Sequence, residues 1–288
     1  MAATIGQLWS LFKLRIGLAI MLCALAGLAV TPGPALPAWK VAVLALTVLL
    51  SAASAGAFNQ YVERELDGRM ARTRNRPFVT GQYRAGPLWL AIILSILAVA
   101  VAAAALALNL ATALHVFLGA FFYGVVYTVW LKTRTWLNIV LGGLAGSFAV
   151  LAGAAAVDPG LAPAPLILAL VLFLWTPPHF WSLATAMHDD YAAAGVPMLP
   201  VVVGDATAAW VILGHTVALV LLSLLPAAHG LGWIYLAGAI GGGGWFIVKS
   251  IELVRRPGPP AAMANFKASL LQLGLLLTAA ILDRSVLA

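Results

Sequence analysis

N-Q-Y-V-E-R-E-L-D-G-R-M-A-R-T-R-N-R-P-F-V-T-G, residues 59–81, is a dense charge cluster in a chain of 288 residues that is 63% hydrophobic and only 9% charged. It holds three of the nine acids (Glu63, Glu65, Asp67) and five of the sixteen bases (Arg64, Arg69, Arg72, Arg74, Arg76). Long apolar runs flank it on both sides. The mean hydropathy of +1.03 lies outside the soluble globular range. Each run reaches the roughly 20 residues that cross a hydrocarbon layer about 30 Å thick. Only helices stack this way in lipid without orphaned backbone groups.

The expected fold is therefore all-α, a polytopic membrane bundle of about nine transmembrane helices. The spans are read at 14–34, 38–58, 87–108, 111–131, 136–157, 163–184, 208–228, 231–250 and 267–287. No polar stretch is long enough to fold separately, so residues 1–288 are expected to form one membrane-embedded domain. The single cysteine, Cys23, allows no internal disulfide and no cysteine-built metal site. Residues 1–10 carry no charged n-region or cleavage site, so the first run is expected to stay as a helix.

The net charge of +7 does not point to nucleic acid, because the bases sit at the ends of apolar runs. Fourteen of the sixteen bases fall on one side of this span pattern, all but Lys40 and Arg284. By the positive-inside rule that side is cytoplasmic, with the N-terminus inside and the C-terminus outside. Seven of the nine acids share it, which the rule does not require. Two connections on that side, 59–86 and 185–207, are much longer than the others, and such connections in a compact bundle are often functional.

Within the first connection, Asn59, Glu63 and Asp67 stand at i, i+4 and i+8. On a continuing helix they line one face over about 12 Å. Such a row of oxygen ligands suits Mg²⁺, which pairs a few carboxylates with substrate phosphates. Arg69, Arg72, Arg74 and Arg76 follow, and guanidinium forks match phosphate oxygens. The competing reading is a solvated helix end whose acids pair with its own arginines; Glu65 and Arg69 are assigned to that role as an i,i+4 pair. In the second connection Asp189-Asp190 is the only adjacent acidic pair. It is either the other half of a cation site or a surface turn. His179 and His188 precede it. A histidine in an apolar run is usually packed and hydrogen-bonded, yet ionisable groups at membrane depth are functional candidates. Tyr123, Tyr127, Lys132 and Asn138 form a third group. Their simpler reading is an interfacial aromatic belt with a snorkelling lysine. The functional one puts Lys132 on a phosphate.

Four pieces together resemble the UbiA-type intramembrane prenyltransferases, in their haem-modifying branch: residues 59–77 of the opening stretch, Y-T-V-W-L-K-T-R-T-W-L-N-I-V-L-G-G (127–143), W-T-P-P-H-F-W (175–181) and D-D-Y-A-A-A-G-V-P-M-L-P-V (189–201). The resemblance covers essentially the whole chain. Gln60 and Glu63 stand where quinone-type members usually carry Asp, and Ala194 replaces a further Asp of the second motif, which leaves fewer carboxylates for a second metal ion. The resemblance implies a bundle around a central cavity with its active site at the cytoplasmic side. It implies transfer of farnesyl from farnesyl diphosphate to a vinyl group of haem B, with water added, assisted by Mg²⁺. The implied metal ligands are Asn59, Glu63, Asp67, Asp189 and Asp190, with Asn59, Glu63, Asp67 and Asp190 as the catalytic set. Arg72, Arg76 and Lys132 are implied for diphosphate. Tyr123, Tyr127, Asn138, His179, His188 and Tyr191 are implied for the prenyl or haem moiety. A haem A synthase or terminal-oxidase assembly protein is the implied partner, in a bacterial plasma membrane. The competing readings are a UbiA-type prenyltransferase acting on a quinone precursor or another aromatic or tetrapyrrole acceptor and, in another class, a transporter. A transporter calls for charges near mid-membrane and repeated halves, and the acids lie at one face instead.

Overall fold

The computed structural model describes residues 5–287, and every regular element among them is helical. In order these are α1 (Ile5–Leu11), α2 (Leu14–Val30), α3 (Ala38–Val62), α4 (Arg64–Asp67), α5 (Pro87–Ala107), α6 (Leu110–Phe121), a π-helical segment (Phe122–Leu131), α7 (Asn138–Gly142), α8 (Leu144–Val157), α9 (Pro163–Ala186), α10 (His188–Ala193), α11 (Leu199–Val203), α12 (Asp205–Leu222), a 3₁₀ turn (Leu225–His229), α13 (Trp233–Arg255) and α14 (Pro259–Leu287). Among the described residues eight helices are long and apolar enough to cross a membrane. The pair α1 and α2, bent by 55°, makes a ninth crossing if counted as one. The protein is an integral multi-pass membrane protein.

The first span differs from the expected 14–34. Helix α2 stops at Val30, where Thr31 Oγ1 donates to the Gly27 carbonyl at 2.6 Å. Pro32, Pro34 and Pro37 then withhold the N–H groups that a continuing helix needs. At its other end α2 is joined, through the 55° bend, to α1, which lies in residues read as preceding the span. Helix α14 starts at Pro259 rather than 267, because prolines are tolerated in a first helical turn. The connection 185–207 is also not open loop. It folds into α10 and α11, with Gly195 at φ 69 turning the chain between them.

Small residues set the tightest crossings. A Cβ on Gly27 in α2 would overlap the Val150 carbonyl in α8, and one on Gly153 in α8 would overlap the Ala24 carbonyl in α2. Gly238 and Gly242 of α13 are likewise closed off by Ala279, Leu275 and Gln272 of α14. Without water to drive helices together, such close backbone approach is what binds a membrane bundle. Apolar residues of the outer helices, such as Leu94, Val99 and Leu106 of α5, stay exposed on the outside of the bundle.

Asp283 in α14 is one of the two acids outside the basic side of the span pattern, and its role is structural. It is buried, and its carboxylate accepts from the backbone N–H of Gly232 at 2.6 Å and of Tyr235 at 3.1 Å. It caps the first turn of α13 from a different helix. Asp283→Ala should lower stability by about 1–2 kcal/mol. Thermal unfolding in detergent checks this, with activity per folded molecule unchanged.

At the opposite end, Lys13 reaches Asn59, Lys132 reaches Glu63, and Pro259 shares a cleft with Thr185 and Asp205. These contacts gather both long connections at one end of the bundle.

Candidate active site

Helix α3 is interrupted at Glu63, yet the i→i−4 ladder runs through the interruption. Glu63 N–H donates to the Asn59 carbonyl at 2.9 Å, and Asp67 N–H donates to the Glu63 carbonyl at 2.7 Å. Asn59, Glu63 and Asp67 therefore keep one line, and all three are buried. Each faces a cation from a different part of the chain. Asn59 Oδ1 accepts from Lys13 Nζ at 2.5 Å, Glu63 Oε2 from Lys132 Nζ at 2.5 Å, and Asp67 Oδ2 from Arg76 Nη1 at 2.6 Å. Burial removes the water that would otherwise weaken these pairs.

The loop after α4 is held so that Arg76 can reach Asp67. Thr73 Oγ1 donates to the Asp67 carbonyl at 2.8 Å. Further on, Phe78 is packed edge-on to Tyr61 and Trp89, each at 5.6 Å, and Tyr83 lies 4.9 Å from Trp89. This aromatic knot pins the loop to the ends of α3 and α5. Because the chain leaves the α-helix after Asp67, Glu65 does not pair with Arg69; its ion-pair partner is Arg64, at 3.7 Å on the surface. Such an exposed pair contributes little. Arg72 is exposed beside the buried Tyr191 of α10. Burial pushes the Tyr191 phenol above the ordinary tyrosine range, and the neighbouring Arg72 charge pulls it back.

The π-helical segment Phe122–Leu131 presents the third group. π-Helical turns are rare and frequent at functional sites. Here the wide turn closes i→i−5, with Lys132 N–H donating to the Tyr127 carbonyl at 2.9 Å and Thr128 Oγ1 donating to the Tyr123 carbonyl at 2.8 Å. Tyr123 and Tyr127 stack at 5.7 Å with planes 11° apart. Gly142 lies against the Tyr127 ring, where a Cβ would press on it. Lys132 is buried and paired with Glu63, so it is not a snorkelling surface lysine. Asn138 donates through Nδ2 to the Lys132 carbonyl at 3.1 Å and so positions that lysine.

Lys13 is a site residue that the motifs did not single out. It stands between α1 and α2 with φ 47 and ψ 42, the left-handed conformation. From there Nζ reaches Asn59 and, at 2.9 Å, the Tyr123 hydroxyl. Of the three cations it alone has uncharged partners. The break is built by α3. Gly56 leaves room for Lys13, and Gln60 Nε2 donates to the carbonyls of Ser10 at 2.8 Å and Leu11 at 3.2 Å, the last residues before the bend. A carboxylate at position 60 only accepts, so it cannot make these bonds. Gln60→Glu should cost about 1–3 kcal/mol. It should also withdraw Lys13 from Asn59, raising KM for a substrate that places negative charge there. Thermal unfolding and steady-state kinetics read the two effects.

The second acidic motif is close by but distinct. Asp189 and Asp190 line a cleft of about 510 Å³ with Thr185, His188, Asp205 and Pro259. His188 Nδ1 stands 2.8 Å from Asp205 Oδ1, a partner that explains its orientation. His179 lies deeper, enclosed between Trp175 at 4.2 Å and Phe266 at 4.5 Å, with Nδ1 2.7 Å from Ser269 Oγ. Among the described residues no three His, Cys, Asp or Glu side chains are gathered as one metal nest. The first motif is two carboxylates with an amide. Its donor chemistry fits a hard cation, since Glu63 Oε1 and Asn138 Oδ1 are buried oxygens without a hydrogen-bond partner.

Residues 20–273 match the family model described as the UbiA prenyltransferase family. The chain belongs to that family. It is a prenyltransferase. A relative from Paramagnetospirillum magneticum, protoheme IX farnesyltransferase 2, is 62% identical over 98% of both chains. Protoheme IX farnesyltransferase from Alkalilimnicola ehrlichii is 40% identical over 96% of this chain and 92% of its own. Among solved structures, one concerning digeranylgeranylglyceryl phosphate synthase in membranes superposes with a TM-score of 0.79 at 17% identity, covering 97% of this chain and 98% of that one. A UbiA homologue from Archaeoglobus fulgidus bound to DMAPP and Mg²⁺ gives 0.73 at 16% identity, covering 97% and 99%. These two establish the shared UbiA fold.

Proposed function

We propose that this UbiA-family chain, acting as one membrane domain, transfers farnesyl from farnesyl diphosphate to a vinyl group of haem B, with water added, giving haem O and diphosphate. The carrying observation is the buried line of Asn59, Glu63 and Asp67, each met by its own cation. The full-length likeness to protoheme IX farnesyltransferases supports the choice of acceptor.

The chemistry follows from charge. Breaking the allylic C–O bond leaves negative charge on diphosphate, and cations placed where that charge develops lower the barrier. Arg72, Arg76 and Lys132 are the diphosphate residues, and Lys13, with no carboxylate partner, is added to them. Asn59, Glu63 and Asp67, with Asp189 and Asp190 from the neighbouring cleft, are the residues that would hold Mg²⁺. When bound, the ion supplies Lewis-acid neutralisation of the leaving group. Asn138 keeps Lys132 in place. Tyr123, Tyr127 and Tyr191 offer aromatic surface beside the line, where exclusion of water protects an electron-poor allylic carbon. His188 orients the cleft through Asp205.

The site end faces the cytoplasm in this reading, with the N-terminus inside and the C-terminus outside a bacterial plasma membrane. Haem A synthase or a terminal-oxidase assembly protein receives the product. Competition decides the acceptor. Purified protein with Mg²⁺ and farnesyl diphosphate is offered haem B and an aromatic quinone precursor together. Farnesyl appearing on haem B supports the proposal, and farnesyl on the quinone precursor alone overturns it.

A further inference from the structure

Helices α9 and α14 face each other through a ladder of polar side chains at membrane depth. On α14, Asn265, Ser269 and Gln272 occupy i, i+4 and i+7, spanning about 10 Å. On α9, Ser182 answers Asn265 and His179 answers Ser269, whose backbone carbonyl also accepts from Trp175 Nε1 at 3.0 Å. The rung nearest the site end is satisfied: Asn265 donates to Ser182 Oγ at 2.9 Å and accepts from Ser250 Oγ at 3.0 Å. The next rung fixes a tautomer. Ser269 Oγ donates to the Phe266 carbonyl at 2.6 Å, so toward His179 it accepts, and Nδ1 carries the proton. Nε2 is then a bare lone pair, with no hydrogen-bond partner among the described residues. The last rung is unsatisfied. Gln272 is fully buried, and neither its Nε2 nor its Oε1 has a partner. Within α9, Pro177 and Pro178 have no N–H to give the carbonyls of Phe173 and Leu174, which adds acceptors at the same level.

Buried donors and acceptors in such numbers hold ordered water. We infer that the Gln272–Ser269–His179 ladder is a water site, and that it supplies the water consumed in the reaction proposed above. The inference rests on that reading, because transfer to a quinone precursor consumes no water. The farnesyl C1–O bond breaks with its electron pair leaving on diphosphate. C1 bonds to the terminal vinyl carbon, and the vinyl carbon attached to the macrocycle becomes electron-poor. Water oxygen bonds to that carbon, and one of its protons passes to His179 Nε2 and onward to solvent. Farnesyl diphosphate, haem B and water are thus converted to haem O, diphosphate and a proton. Ser269 and Gln272 are positioning residues, one for the tautomer and one for the water.

Product analysis tests this, because an electron-poor carbon denied water loses a proton and yields an alkene lighter by one water. Wild type, Ser269→Ala and Gln272→Met are assayed with farnesyl diphosphate and haem B in ¹⁸O-water, with thermal unfolding and KM for farnesyl diphosphate recorded alongside. The expected result is labelled haem O alone from wild type. Both variants should show turnover lowered roughly 10²-fold, unchanged KM and a substantial share of the lighter product. Variants that give only hydrated product overturn the inference, whether turnover is unchanged or falls in step with folded protein. Wild type that makes no haem O removes the reading and this inference with it, whereas haem O from wild type with hydrated product from both variants removes the inference alone.

Discussion

Lys132→Met should lower farnesyl-transfer turnover by about 10²–10³-fold and destabilise the protein by about 3–5 kcal/mol. Both effects come from one contact. Lys132 Nζ and Glu63 Oε2 are 2.5 Å apart, and both side chains are buried. Methionine fills much of the same space but leaves Glu63 as an uncompensated buried charge. Pairing Lys132→Met with Glu63→Gln separates the two losses. The double variant should regain most of the thermal stability, because the isolated charge is gone. It should recover none of the turnover, because the diphosphate cation and a metal ligand are both lost. Recovery of turnover in the double variant would mean that the pair is only structural. Thermal unfolding in detergent and a diphosphate-release assay measure the two quantities.

Gly153→Val should leave little folded protein. The crossing of α2 and α8 brings backbone to backbone, and any Cβ at Gly153 would overlap the Ala24 carbonyl. No rotamer relieves a clash with a carbonyl, so the helices must separate, and the reciprocal Gly27 contact with Val150 opens with them. Overpacking costs typically 1–3 kcal/mol and more where the backbone must move, and in lipid no hydrophobic gain offsets it. The contrast is Gly146→Ala in the same helix, where nothing lies within 4 Å of an added Cβ. That change should be tolerated or stabilise by about 0.5–1 kcal/mol. Monodisperse protein recovered after detergent extraction distinguishes the two.

What could be read from the sequence was what repeats along the chain. Apolar runs long enough for lipid located eight crossings and the ends of most, and the spacing of Asn59, Glu63 and Asp67 placed them on one line because the helical ladder survives at Glu63. What could not be read depends on contacts distant in sequence. Lys13 looked like an orienting charge, since nothing local tells that a left-handed residue will send it toward Asn59, 46 positions away. Gln60 looked like a departure from a motif, and its reason is a pair of carbonyls in another helix. Tyr127 and Lys132 fitted an interfacial belt because α-helical and π-helical periods are not separable over ten residues. The polar signal that was missed was the i, i+4, i+7 pattern of Asn265, Ser269 and Gln272 in an otherwise apolar span.

The central claim is that the buried acid line drives farnesyl transfer to haem B. Chromatography and mass spectrometry of haems test it most directly, on membranes carrying the protein and supplied with haem B, farnesyl diphosphate and Mg²⁺, with Asp67→Ala and a chelated sample in parallel. The account predicts haem O from wild type and its disappearance in both other samples. Haem O formed equally well by folded Asp67→Ala, or well-folded wild type that prenylates only a quinone precursor, would contradict it.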